Sequence, residues 1–168
     1  KLGDNIATDV KGEICLVNGT VKDSKGNIIP NAMIDVWQSG PDGLYDVQKE
    51  KNVVDLRGKM KTNENGKYFF KTVKPQFYPV PTDGPVGEIL KLLGRHPFRP
   101  AHIHFMVKAK GFVDLTTHVF IDGDPYLESD TVFAVKESLI RKLSDTKDPI
   151  DNKPCKELTF NIVLEKEN

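Results

Sequence analysis

Apolar residues recur at every second position in several short stretches of this chain, and turn-forming residues interrupt them. Positions 14–21 read as a strand that ends at Asp23-Ser24-Lys25-Gly26-Asn27, a run suited to a turn. Across 32–38, Ala32, Ile34 and Val36 share one face, while Met33, Asp35 and Trp37 share the other. Lys67–Val73 follows the turn cluster Asn63-Glu64-Asn65-Gly66. His102–Lys108, Leu115–Ile121 and 157–164 add three further strands. Short strands punctuated by turns predict an all-β protein, an antiparallel β-sandwich or barrel.

Two segments carry a helical rather than a two-residue period. In 85–93, Pro85 falls at a first helical turn, with Asp83 just ahead and Gly94 just past the end. In 130–143, Val132, Val135, Leu139 and Leu143 are spaced for one helix face, with Ser129 or Asp130 as the cap. The pattern therefore predicts two short helices as excursions between strands. Between Lys74 and Pro100 the chain is dense in Pro, Gly and aromatic residues, so it predicts a long ordered loop outside regular sheet. Ordered loops of this length are commonly functional. With no repeat and no linker, residues 1–168 read as one domain.

Composition narrows the function classes. Lys plus Arg and Asp plus Glu number 24 each, so no basic field favours nucleic acid or an anionic membrane. No apolar run approaches the length of a bilayer span. The first residue is Lys1, so the chain reads as processed or trimmed, with any targeting signal out of view. Cys15 and Cys155 form no CxxC pattern; they read equally as a disulfide joining the domain's ends or as two separate buried thiols.

Local chemistry centres on Arg99-Pro100-Ala101-His102-Ile103-His104-Phe105. On a strand, residues two apart point the same way, so His102 and His104 present their imidazoles side by side, with Ile103 and Phe105 on the apolar face. Two adjacent imidazoles suit iron, zinc, copper or nickel, and equally describe two half-exposed strand histidines. A zinc site would add His118 or His96 and leave a position open for water. Tyr45 follows the turn Pro41-Asp42-Gly43-Leu44, and Tyr78 lies in the Pro-rich loop. Spacing alone leaves these options open.

Four segments resemble the intradiol ring-cleavage dioxygenases: GTVKDSKGNIIPNAMIDVWQ with GLYDVQ, LRGKMKTNENGKYFFKTVKP, FYPVPTDGPVGEILKLLGRHPFRPAHIHF, and GFVDLTTHVFIDGDPYLESDTVFAVKESLI. They run from Gly19 to Ile140 in family order, and the run RHPFRPAHIHF with its upstream YPVPTDGP is the specific part. The resemblance implies one non-haem Fe(III) held by Tyr45, Tyr78, His102 and His104, with Tyr45 and His102 equatorial and Tyr78 and His104 axial. It implies a small catecholic substrate and O2, with ring opening between the two hydroxyl-bearing carbons to a cis,cis-muconate-type diacid. Tyr78 would leave the metal when substrate binds. Arg99 would stabilise negative charge developing on the ring, and His118, within LTTHVF, resembles the hydroxyquinol branch. His96 and Tyr126 read as structural.

Typical bacterial members place a helical segment before this domain, and here the first strand follows Lys1 closely. The chain is then either the ordered remainder of a longer protein or a short form, which would be monomeric. The possible Cys15–Cys155 pair tilts the expectation towards a secreted rather than a cytoplasmic protein. Two rival readings stand beside the dioxygenase: a zinc or copper hydrolytic site on His102, His104 and His118, and a non-catalytic transthyretin-like binding module.

Overall fold

A computed structural model describes residues 1–49 and 54–167. Among the described residues, twelve strands form two five-stranded sheets and one two-stranded ladder. The first sheet is built on β1 (Ile14–Asp23), whose one edge pairs antiparallel with β4 (Lys67–Val73). Its other edge pairs in parallel with β11 (Pro154–Thr159) and then β12 (Ile162–Leu164), while β10 (Ser144–Lys147) adds to β11. The second sheet has the order β3 (Arg57–Lys61), β2 (Met33–Gln38), β7 (His102–Lys108), β8 (Leu115–Ile121), β9 (Ile140–Arg141). The ladder joins β5 (Tyr78–Pro79) to β6 (Phe98–Arg99) inside the Pro-rich loop.

Alternation along each strand decides what lies between the sheets. Val17, Val21, Tyr68, Phe70 and Leu158 from the first sheet meet Ile34, Val36, Ile103, Phe105 and Val107 from the second in one buried cluster. Phe105 sits at its centre, with its ring against Tyr68, Phe70 and Phe160. The β-sandwich expected from the period-two pattern is present.

Four features depart from that expectation. Pairing is mixed: β1 runs parallel to β11 and β12, and β8 runs parallel to β9. The stretch 157–164 is two strands, because the chain breaks at Phe160. The Phe160 carbonyl accepts from the Tyr68 hydroxyl at 2.5 Å, and its N–H donates to Asn18. A Cβ on Gly19 would stand 2.0 Å from that carbonyl oxygen, so only glycine permits the approach. The Pro-rich loop holds a two-residue ladder, in which Val80 N–H also reaches the Pro97 carbonyl.

The fourth departure is the helix expected over 130–143, which is absent. The Asp130 carboxylate accepts from the N–H groups of Val132 and Ala134, folding a tight turn in which Phe133 takes a left-handed φ of 55°. A short 3-10 turn at Glu137–Leu139 then delivers Ile140 and Arg141 into the sheet as β9. Side-chain competition for the backbone and strand pairing together outweigh the helical spacing. The other expected helix forms as α1 (Pro85–Leu92), with Pro at the start and Gly94 left-handed just beyond the end. Cys15 and Cys155 are both buried free thiols, so the pairing that favoured secretion is not formed. Among the described residues, no helix is long and apolar enough to cross a membrane.

Candidate metal centre

The site lies on the face of the second sheet turned away from the core. On β7, Ile103 and Phe105 are fully buried between the sheets, and His102 and His104 take the other face as the period of two requires. Strand register then sets a row of rings across three strands. Trp37 pairs with His104 across β2 and β7, and His104 pairs with His118 across β7 and β8. The indole lies flat on His104, with centroids 4.7 Å apart and planes at 4°, and the His118 ring follows at 4.5 Å.

Two loops bring the tyrosines over this row. Gly43, at a φ of 75°, turns the first loop, and a Cβ there would meet Tyr78 and the Phe77 carbonyl. The bare glycine thus lets the Tyr45 loop press on the Tyr78 ladder. Tyr45 N–H is anchored by the Gln48 side chain at 2.9 Å. Tyr78 stands opposite Arg99 in the β5–β6 ladder, so one short pairing fixes both. Phe77, Phe98, Tyr126 and His96 form an aromatic brace beneath it, and His96 spends its ring nitrogens on Ser129 and the Phe98 N–H.

The functional atoms converge. Tyr45 Oη lies 3.0 Å from Tyr78 Oη and 3.0 Å from His104 Nε2, and His104 Nε2 lies 3.0 Å from His102 Nε2. Ligands at right angles around a metal with bonds of about 2.1 Å are separated by about 3.0 Å, so these spacings match edges of a coordination polyhedron. His102 is 1% exposed, and its Nδ1 lies 2.6 Å from the Pro100 carbonyl, an acceptor only. Nδ1 therefore carries the proton and Nε2 keeps its lone pair for a metal.

Electrostatics favour neutral imidazoles. Burial pushes His102 well below the usual histidine range, and the Arg99 charge beside it adds to the effect. Burial, then His118 and Arg99, bring His104 down to about 3. His118 is lowered for the same reasons, with Asp130 opposing. Burial and the hydrogen bond to Tyr78 keep the Tyr45 phenol protonated far above its ordinary range. In the protein alone these groups are thus uncharged, and a cation is needed to draw the phenolate out.

All of the site residues expected from sequence meet here: Tyr45, Tyr78, His102 and His104 as a cluster, with Arg99 and His118 at its edge. Arg99 is 7% exposed, with Nη1 3.2 Å from His102 Nε2 and Nε 3.3 Å from Asp130 Oδ1. His118 joins His102 and His104 in a group whose ligand atoms all lie within 4.8 Å of one another. His96 stays outside that group. Sequence reasoning assigned no role to Trp37, and gave Asp130 only that of a helix cap. Trp37 is the single tryptophan of a strand already recognised, and its opposite number across the sheet is a histidine.

Comparison with known proteins agrees with this geometry. The family model Dioxygenase_C, described as "Dioxygenase", matches residues 3–166. A hydroxyquinol 1,2-dioxygenase from Rhizobium sp. is 49% identical over 149 residues, covering 88% of this chain and 50% of that protein. A catechol 1,2-dioxygenase from Candida albicans is 40% identical over 137 residues, covering 80% of this chain and 44% of that protein. The solved hydroxyquinol 1,2-dioxygenase of Pseudomonas putida superposes with a TM-score of 0.91 at 40% identity, over 99% of this chain and 60% of that one. The fold is the β-sandwich of dioxygenase catalytic domains, and it carries a cluster of side-chain donors that could hold a metal. The chain belongs to the intradiol ring-cleavage dioxygenase family. It spans about half the length of the curated relatives it matches.

Proposed function

We propose that this chain carries the active site of a non-haem iron(III) intradiol dioxygenase, acting on a catechol-type diol and O2. The observation that carries the reading is the run of four donor atoms, Tyr78 Oη, Tyr45 Oη, His104 Nε2 and His102 Nε2, joined by three successive contacts of 3.0 Å. The donor set suits ferric iron: phenolates are hard anions that stabilise the higher oxidation state, and neutral imidazoles complete it. Bound iron(III) supplies the Lewis acidity and electron-accepting character that make a chelated diol reactive towards O2.

The residues divide the remaining work. Tyr45 is gripped by the turn at Gln48 and by the β7 histidine, so it stays in place. Tyr78, carried on the short ladder of the Pro-rich loop, would by family likeness be the ligand that leaves and takes a diol proton at Oη. His102 keeps a fixed tautomer through Pro100. Arg99 offers a buried guanidinium for negative charge developing on the ring and its oxygens. His118, beside His104 on the next strand, can hydrogen-bond a substrate hydroxyl, and the family likeness makes hydroxyquinol the favoured diol.

Loading the protein with ferric iron tests the reading. A burgundy tyrosinate charge-transfer colour and oxygen uptake with hydroxyquinol or catechol are expected. A colourless product that consumes no oxygen with any diol would overturn it. The three-histidine group at 4.8 Å favours one alternative, a zinc or copper site. In that case Tyr78→Phe leaves metal affinity unchanged, whereas the ferric site loses affinity and colour.

A further inference from the structure

The segment DGDPYLESDTVF packs beside the site, and its one buried charge has no part in the mechanism above. Asp130 is 3% exposed and its charged side-chain partner is Arg99. The pairing has an unusual form. A carboxylate facing a guanidinium usually takes two parallel N–H groups, fork to fork. Here Asp130 Oδ1 takes only Arg99 Nε, at 3.3 Å. Its other capacity goes to the backbone, with Val132 N–H on Oδ1 at 3.3 Å and Ala134 N–H on Oδ2 at 3.0 Å. The turn is fastened to the same corner twice more. Thr131 N–H donates to the Phe98 carbonyl, and Arg95 donates to the Asp130 carbonyl.

The consequence is a guanidinium held at its inner end. Nη1 lies 3.2 Å from the ligand atom of His102, and Nη2 is buried without a partner. Among the described residues, three buried side-chain polar atoms lack a partner, Arg95 Nε, Arg99 Nη2 and Thr131 Oγ1. All three belong to this corner, beside the metal ligands. A pair built for stability alone would have consumed the terminal nitrogens, since a buried ion pair is seldom stabilising over apolar packing.

We propose that Asp130 is a positioning residue of the reaction: by taking Arg99 at Nε it leaves Nη1 and Nη2 as oriented donors for the oxygens of the diol and of the opening ring. The inference rests on the dioxygenase reading for what those donors meet. It predicts that the turn around Asp130 and the reactivity of the site are coupled through one side chain.

The test combines Asp130→Asn, which removes the charge and keeps one oxygen acceptor where the carboxylate has two, with Arg99→Gln and the double variant, all iron-loaded. Asp130→Asn should lower kcat by about 10²-fold, the usual effect of misplacing one charge-stabilising donor. Anaerobic catechol affinity should fall by much less than kcat, because the donors meet charge that grows as the ring opens, and the visible band should stay close to the wild type. In the Arg99→Gln background the same substitution should change kcat by less than about twofold, because its effect passes through Arg99. A full additive loss there would mean that Asp130 acts by folding alone, and would overturn the proposal. An independent readout uses metal-free protein: Arg99 Nε–H, assigned by difference against Arg99→Gln, should exchange slowly with solvent and lose that protection in Asp130→Asn. Fast exchange in the unaltered protein overturns the proposal even if the variant does not fold. A wild type inactive towards every diol would sink the dioxygenase reading instead, and the exchange measurement would still decide whether Asp130 fixes Arg99.

Discussion

Replacing Trp37 by leucine removes the indole that lies flat on His104, with centroids 4.7 Å apart. The contact is a cross-strand pair fixed by the register of β2 and β7, so no nearby ring can take its place. A stacked aromatic pair contributes about 0.5–1.5 kcal/mol beyond buried area. Free His104 can rotate once the stack is gone, while the metal-bound ring must return to a single orientation. The loss should therefore appear in metal affinity. At about 1.4 kcal/mol per tenfold, the stack alone corresponds to about a fivefold weakening. Contacts that orient a ligating histidine commonly matter by 10–100-fold, so the expected range is about 5- to 50-fold. Competition against a ferric chelator, followed at the tyrosinate band, measures it. Trp37→Phe keeps a ring over the imidazole and should lose less than about threefold. If Trp37→Leu binds iron as tightly as the wild type, or if the Phe variant is as weak as the Leu variant, the stack does not position His104. As the single tryptophan, Trp37 also reports directly, and its fluorescence should fall on iron loading in the unaltered protein.

Other outcomes follow from the same geometry. Tyr45→Phe removes the hydroxyl that touches both Tyr78 and His104, and should weaken ferric binding by at least about tenfold and fade the visible band; unchanged iron affinity in a metal titration would contradict its place in the ligand set. The metal-free protein should lose stability on acidification, because His102 and His104 are held neutral when folded and ionise near 6.5 when unfolded. The unfolded state then binds more protons below that value, so stability is intact above pH 6.5 and falls towards pH 4.5, by on the order of 2 kcal/mol for His104 alone. Urea unfolding at stepped pH, with His104→Gln as the flattened control, checks the sign. Phe105→Ala opens the centre of the sandwich, where Phe105 is 0% exposed, and should destabilise by about 3–5 kcal/mol. A loss below about 1 kcal/mol in chemical denaturation would mean that the two sheets close over the gap.

How far the sequence could be read depends on how local each determinant is. β4, β7 and β8 were legible to the residue, because apolar core-facing positions recur at every second residue along most of each strand. β3 escaped notice, since three of the five positions in Arg57–Lys61 are basic and one is glycine. That is the composition of a protected sheet edge. β10, Ser144–Lys147, is another polar edge strand, stabilised by pairing rather than by an apolar face. The false helix over 130–143 arose because Val132 and Leu139 share helical spacing by coincidence, although Val132 is 48% exposed. Within the site, His102 and His104 follow from a period of two. Tyr45 and Tyr78 arrive on loops whose path no period describes, so only motif likeness singled them out. Trp37 and Asp130 depend on which strand or turn lies beside which, a property of the folded chain alone.

The alternation along β7 has a further consequence for variation in this protein. Each histidine of the candidate site is one peptide unit from a residue at the centre of the core: His102 beside Ile103, His104 beside Phe105. Folding and chemistry therefore share a single strand, and neither can be altered there without disturbing the other. The tyrosines, the α1 segment and the turn at Asp130 hang on loops that leave the core untouched. Under the proposed function, new diol preferences are thus accessible through the loops at little risk to the fold, whereas β7 is closed to such change. A laboratory search for altered specificity should randomise the former and leave the strand as it is.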